Sequence, residues 1–169
     1  MVNVETLRLR LRPLCEADRS DVIRAMNDLS VAEWLAPVPY PYGDADFDQF
    51  LRAIARPGET FALEDGTGFA GVVDCGSRLG FWLLPAAQGK GYATEAAEAL
   101  LARRFSADGR DVTAGYFEGN LRSARVLDKL GFVQVGRRDL ECRPLGRLRP
   151  HVDLRLSAID YGARAKPFA

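Results

Sequence analysis

Gln88-Gly89-Lys90-Gly91-Tyr92-Ala93-Thr94-Glu95 is the stretch on which the reading of this chain turns. An apolar run, Leu79 to Leu84, precedes it and reads as a buried strand. An alanine- and leucine-rich segment follows, and the pattern predicts a helix over about Tyr92 to Phe105. Strand, glycine-bearing loop and helix in that order turn several backbone N–H groups, and the positive end of a helix dipole, toward one spot. Such a spot suits a phosphate. Neither of two familiar phosphate motifs fits. A P-loop needs Ser or Thr after its Gly-Lys pair, and Lys90 is followed by Gly91. A dinucleotide fingerprint needs a third glycine where Thr94 stands.

Composition narrows the classes. A chain of 169 residues is long enough for one domain with a real core, burying roughly 70% of its unfolded surface. Lys plus Arg (23) equals Asp plus Glu (23), so no bulk charge favours nucleic acid or a membrane surface. No apolar run is long enough to span a bilayer, and the N-terminal stretch does not read as a signal peptide. Cys15, Cys75 and Cys142 are odd in number and fit no zinc spacing, which suggests reduced thiols and a cytoplasmic location. With His151 as the single histidine, a histidine-based metal cluster is excluded and no metal is expected.

Outward from the loop, Thr6 to Arg12 alternates leucine and arginine, as a half-buried strand does. Helices are expected over Glu16 to Asn27 and Asp44 to Arg56. Between them Trp34, Tyr40 and Tyr42 lie in a proline-rich segment, where they either line a pocket or plug the end of the core. Thr60 to Glu64, Phe69 to Cys75 and Arg78 to Leu84 read as an antiparallel meander. Asp111 to Glu118 reads as a strand, and Leu121 to Leu130 as a helix with Leu121, Ala124, Leu127 and Leu130 inward. Gly131 suits its left-handed cap. Phe132 to Val135 and Arg149 to Leu156 complete the strands, and a short helix is expected after Ser157. The alternation predicts one α/β (α+β) domain over residues 1–169, without internal repeat or linker.

Two motifs stand in order: Gln88-x-x-Gly91-x-Ala93 after an apolar strand, then Asn120-x-x-Ser123 opening a helix that ends Leu130-Gly131-Phe132. The pair resembles the GNAT superfamily of acyl-CoA-dependent N-acyltransferases. Gly80 to Pro85, Tyr92 to Ala96, Leu9-Arg10-Leu11-Arg12-Pro13 and Pro39-Tyr40-Pro41 are similar to its ribosomal-protein N-terminal acetyltransferase branch. The resemblance covers nearly the whole chain. It implies a mixed, mostly antiparallel sheet of about seven strands, splayed in the middle and flanked by helices.

The same resemblance implies a cytoplasmic enzyme that moves an acetyl group from acetyl-CoA directly to a primary amine. The acceptor would be a protein or peptide N-terminus or a small-molecule amine. Gln88, Gly89, Lys90, Gly91, Tyr92, Ala93 and Thr94 would cradle the pyrophosphate; small residues allow close approach and the helix N-terminus favours negative charge. Leu83 and Leu84 would flank the pantetheine arm where the sheet splays, with a backbone N–H near Leu83 as oxyanion donor. Asn120 would hydrogen-bond that arm, or simply cap its helix. Ser123 would neutralise the leaving thiolate, or merely face solvent.

Two departures stand out. Many relatives carry a tyrosine seven positions after the asparagine; here that position is Leu127. Many carry a glutamate on the strand before the glycine loop; here Ser77, Arg78 and Leu79 stand there. Asp74 and Glu118 are the replacement candidates for general base, against the plainer reading of exposed strand-end acids. His151 ranks below them, although its imidazole suits proton transfer. Trp34, Tyr40, Tyr42 and the loop from Cys142 to Leu148 would frame the acceptor pocket, and Arg137, Arg138, Arg143, Arg147 and Arg149 would favour a carboxylate-bearing acceptor. The departures also leave open a non-catalytic acyl-CoA-binding module of the same fold, and the loop alone leaves open an unrelated nucleotide binder. No nucleic-acid or membrane partner is expected, and the assembly is read as monomer or homodimer.

Overall fold

Short apolar and alternating segments of this chain become strands wherever a neighbour completes their ladder. The computed structural model describes residues 3–164. Five strands form one sheet in sequence order: β1 (Val4–Glu5), β2 (Arg10–Pro13), β3 (Thr60–Asp65), β4 (Gly68–Cys75) and β5 (Leu79–Leu83), all antiparallel. Three more, β6 (Val112–Phe117), β7 (Val133–Cys142) and β8 (Arg147–Leu156), form a second sheet in the order β6–β8–β7. One parallel bridge, Arg78 to Thr113, joins the sheets at the start of β5 and β6. Beyond it the two strands separate. This is the expected splayed sheet, with eight strands in place of about seven.

Helices cover both faces. α4 (Tyr92–Asp108) and α5 (Leu121–Leu130) pack Ala96, Ala97, Leu100, Leu101, Leu127 and Leu130 against Leu63, Val73, Val112 and Leu154. On the opposite face of the first sheet, α1 (Arg19–Met26), α2 (Leu29–Ala32) and α3 (Asp44–Gln49) bury Val22, Met26, Val31 and Phe47 against Ala62 and Val72. A wider-turn segment, Phe50–Ile54, continues α3, and α6 (Ala158–Arg164) ends the described chain. At about 1.5–3 kcal/mol for each large aliphatic or aromatic side chain removed from water, these two layers hold the sheets in place.

Three expectations need correction. Residues 6–9 form a turn rather than the start of a strand: the Thr6 N–H donates to Leu9 O at 2.9 Å and Leu7 is 92% exposed. The turn is drawn out by Glu95, which takes both Thr6 and Arg8 as donors. β7 runs to Cys142, well past Val135, because its ladder to β8 supplies what its mostly exposed side chains do not. Leu121 is 64% exposed at the first turn of α5, while Leu127 and Leu130 are buried. Gly131 adopts φ 87°, the left-handed cap expected of it.

Candidate active site

Separation of β5 from β6 leaves the outer edge of β5 without a strand partner after Arg78, and opens a cleft of about 820 Å³. That volume suits an extended small-molecule arm together with an acceptor. Alternation along the strands divides its lining. Leu79, Phe81 and Leu83 of β5 and Ala114 and Tyr116 of β6 face α4 and α5. Arg78, Gly80 and Trp82, with Gly115 and Phe117, therefore face the other way, toward α2 and Trp34.

On the α4 side lies the glycine loop. Gly89 (φ 77°) and Gly91 (φ 82°) both occupy the left-handed region, which side chains disfavour. Among the described residues, the backbone N–H groups of residues 89 to 94 find no carbonyl acceptor; the first helical bond runs from Glu95 N to Gly91 O. A row of unsatisfied donors at the start of a 17-residue helix is an anion cradle. The loop is fixed from outside: Arg8 Nη1 donates to Lys90 O at 2.7 Å, and Arg8 also pairs with Glu95 at 2.7 Å. Burial works against ionisation of Glu95, but Thr6 and Arg8 outweigh it and hold its carboxyl below the ordinary range. Gln88 ties the loop inward, donating to Leu83 O at 3.1 Å and accepting from Arg122 of α5.

At the start of α5, Asn120 Oδ1 accepts from Ser123 N at 3.1 Å. The residue is an N-cap that lines the cleft, and among the described residues its amide NH₂ makes no hydrogen bond. Ser123 lines the same cleft, half-buried, and Leu127 lies one turn beyond it on the same side of the helix. Ser123 is thus the hydroxyl nearest in the helix to the position where relatives carry tyrosine.

The structure brings Leu83, Gln88, Gly89, Gly91, Tyr92, Ala93, Thr94, Asn120, Ser123 and Trp34 to this cleft. It leaves others outside the lining. Leu84 packs into the core beneath α1 and α3, and Lys90 points to the Tyr92 ring, 5.6 Å away. Asp74 accepts from the Thr60 hydroxyl, and Glu118 pairs with Arg137 at 2.7 Å. Both candidate bases are strand-end acids engaged elsewhere. Tyr42 is 7% exposed in the second core, where burial first, and Asp46 second, push its hydroxyl up to about 12. Tyr40 is 44% exposed and stands clear of the cleft. Of the three aromatics, one lines the pocket and one plugs the core. Of the arginines proposed as the rim, Arg137 pairs with Glu118, Arg143 with Pro37 O and Arg149 with Glu33 O, and Arg149 also covers the rings of Trp34 and Phe117.

Sequence reasoning underweighted the side of the cleft opposite α4. His151 of β8 lines it at 4% exposure, edge-on to Phe117. Its Nδ1 is buried, 3.2 Å from Asp153 Oδ1 but at an angle that makes no hydrogen bond. Burial lowers its pKa and outweighs the opposing pull of Asp153. Arg78 and Arg138 line the same side. The missed signal was the register: His151 lies opposite Phe117 of β6 and Arg138 of β7, which only the paired sheet reveals.

A model of the acetyltransferase (GNAT) domain matches residues 8–133. No curated protein sequence matches. Among solved structures, a GNAT-family acetyltransferase from Bacillus anthracis is similar with a TM-score of 0.79 at 20% identity, covering 94% of this chain and 99% of that one. A ribosomal-protein-S5-alanine acetyltransferase from Vibrio fischeri gives 0.78 at 21% identity over 95% and 99%. A spermidine N-acetyltransferase from Vibrio cholerae, solved with CoA and spermine, gives 0.74 at 18% identity over 91% and 98%. At these identities the neighbours establish the fold. The domain match spans most of the chain and carries the conclusion: the chain belongs to the GNAT family and is an N-acetyltransferase.

Proposed function

We propose that this enzyme takes the acetyl group of acetyl-CoA and passes it directly to a primary amine, an N-terminus or a small molecule, held on the opposite side of the cleft. The observation that carries the reading is the anion cradle of residues 89 to 94 at the mouth of a cleft bordered by an unpaired strand edge. A pyrophosphate fits those free N–H groups, and the edge of β5 fits an arm carrying amides. Acetyl-CoA supplies the activated acetyl thioester; the chain supplies orientation and proton handling. Asn120 holds the arm through its free amide. The Ser123 hydroxyl faces the sulfur and donates to it as negative charge develops. His151 takes the proton of the attacking amine. Being neutral at pH 7, it is ready to accept one.

Titration calorimetry with acetyl-CoA on the wild type and on Gly91→Asp tests this. The substitution puts a carboxylate into the cradle, on a backbone at φ +82°, with its Cβ 3.3 Å from Arg8 Nη2. Binding weakened by at least about 100-fold, with ATP and NAD bound by neither protein, is the expected result. A wild type indifferent to acetyl-CoA would sink the proposal.

A further inference from the structure

Charge is distributed unevenly around the cleft. Among the described residues that line it there is no aspartate or glutamate, whereas Arg78, Arg122, Arg125, Lys129 and Arg138 all contribute. Three of these, Arg122, Arg125 and Lys129, project from α5, on the side of the glycine loop, where an anionic nucleotide suits them. Arg78 and Arg138 lie across the sheet from it. Arg138 is engaged, its Nε 2.8 Å from Asp153 Oδ2. Arg78 feels the charge of the same Asp153, but among the described residues its guanidinium makes no direct hydrogen bond or ion pair. It sits at the apex of the wedge, where its own backbone forms the parallel bridge to Thr113. There its Nη2 and His151 Cε1 occupy the space over Gly115, 2.8 and 2.3 Å from where a Cβ would stand. The side chain is exposed, although the walls beside it are close enough for burial to draw its pKa down.

A guanidinium held in a concavity, with its fork unmatched and one histidine beside it, is a receptor for a planar anion. We infer that the acceptor is an amine that also carries a carboxylate, bound by Arg78 so that its amino group lies near His151. A polycationic acceptor would find no carboxylate in the cleft and would meet two arginines on its own side. The carboxylate has two sources, a free amino acid or an acidic residue at a peptide N-terminus, and both present the same chemistry to Arg78. This inference rests on the N-acetyltransferase reading of the cleft.

The experiment titrates acceptors into the CoA complex of the full chain by calorimetry, which needs no turnover, and follows thiol release in parallel. The panel pairs free amino acids with their carboxamides, dipeptides beginning in Asp or Glu with those beginning in Asn or Gln, and includes spermidine. The wild type is expected to favour the carboxylate member of at least one pair by about 10- to 100-fold, the range of a charged hydrogen-bonded contact, and to reject spermidine. Preference confined to the free amino acids assigns a small-molecule acceptor; preference confined to the dipeptides assigns an N-terminus. In Arg78→Gln the carboxylate-to-amide ratio should collapse toward one while acetyl-CoA still binds, and Arg78→Lys should recover part of it. Equal affinity within every pair, preference for spermidine, or a ratio unchanged in Arg78→Gln overturns the inference. Loss of acetyl-CoA binding by the wild type overturns the underlying reading instead, so the two failures are distinct.

Discussion

Gly115 shows how much of this site depends on single residues. It pairs with Asp153 across the ladder, and the space its missing side chain leaves is filled by His151, Arg78 and the Val152 carbonyl. Neither polar side chain could reach the cleft over a larger residue. Of the two, His151 carries the pH behaviour. Because burial lowers its pKa from 6.5, the neutral, proton-accepting form predominates at pH 7 and is lost only at lower pH. The rate kcat/KM should therefore fall on acidification with a midpoint below 6.5. His151→Gln should erase that limb and cost roughly 10²- to 10⁴-fold at neutral pH. A variant that keeps the wild-type acid limb would remove His151 from the proton path. Legibility at this scale was mixed. The glycines and Asn120-x-x-Ser123 could be read from their spacing, whereas Asp74 and Glu118 attracted attention only because they end strands, Asp74 in the meander and Glu118 before Asn120. Their partners, Thr60 and Arg137, are set by cross-strand and long-range contact.

Between elements, the connection that matters most is the one from the N-terminal turn to α4. Glu95, in the first turn of α4, accepts from the Thr6 hydroxyl at 2.6 Å, the Arg8 N–H at 2.8 Å and Arg8 Nε at 2.7 Å. An acid there also favours the helix dipole. Arg8 then reaches Lys90 O, so one carboxylate fixes the turn and, through it, the glycine loop. Glu95→Gln should reduce unfolding free energy by about 1–3 kcal/mol, since charged hydrogen bonds are replaced by weaker neutral ones. It should also raise the acetyl-CoA Kd by about 10-fold, because the cradle is no longer held in position. Denaturant midpoints and calorimetry on the same preparation check both; an unchanged Kd would mean that the loop holds its shape without the turn. The leucine–arginine alternation of residues 6–12 concealed this arrangement. Periodicity reports only which residues could share a face, and here Leu7 gave up burial so that Arg8 could be placed.

Titration of the whole molecule has a definite shape. Asp18 is 2% exposed; burial opposes its charge, but Arg12 and the Cys15 N–H hold its carboxyl below 3.8. A depressed carboxyl stabilises above its unfolded pKa and ceases to do so as pH falls through the folded one. His151, also depressed, behaves similarly in a higher window: below 6.5 the unfolded chain takes the proton first, and stability declines. Cys75 and Tyr42 bound the other side. Burial first raises the Cys75 thiol from 9.0 to about 12 and Tyr42 from 10.0 to about 12, so as pH climbs past 9 the unfolded chain loses protons first and is favoured. Stability should be flat from about pH 6.5 to 9 and decline on both sides, as urea midpoints measured within and beyond that range would show. Cys75→Ala should shallow the alkaline decline; an unaltered slope would assign it elsewhere.

The sequence by itself determined most of the succession of elements, though not β1, α2 or the turn at residues 6–9, and it determined the glycine loop and the helix it feeds, because these rest on local rules: apolar period, proline and glycine placement, and capping. It also determined that Leu127 stands where many relatives carry a tyrosine, and that no carboxylate stands among Ser77, Arg78 and Leu79 where many carry a glutamate. Only the tertiary structure decided what stands in the cleft. The parallel bridge at Arg78, the ladder of β8 between β6 and β7, and the empty face of Gly115 bring together residues 78, 115, 138 and 151. Side chains so far apart along the chain meet only through strand register, and register is fixed by the hydrophobic face that must be buried and the partner that completes each ladder.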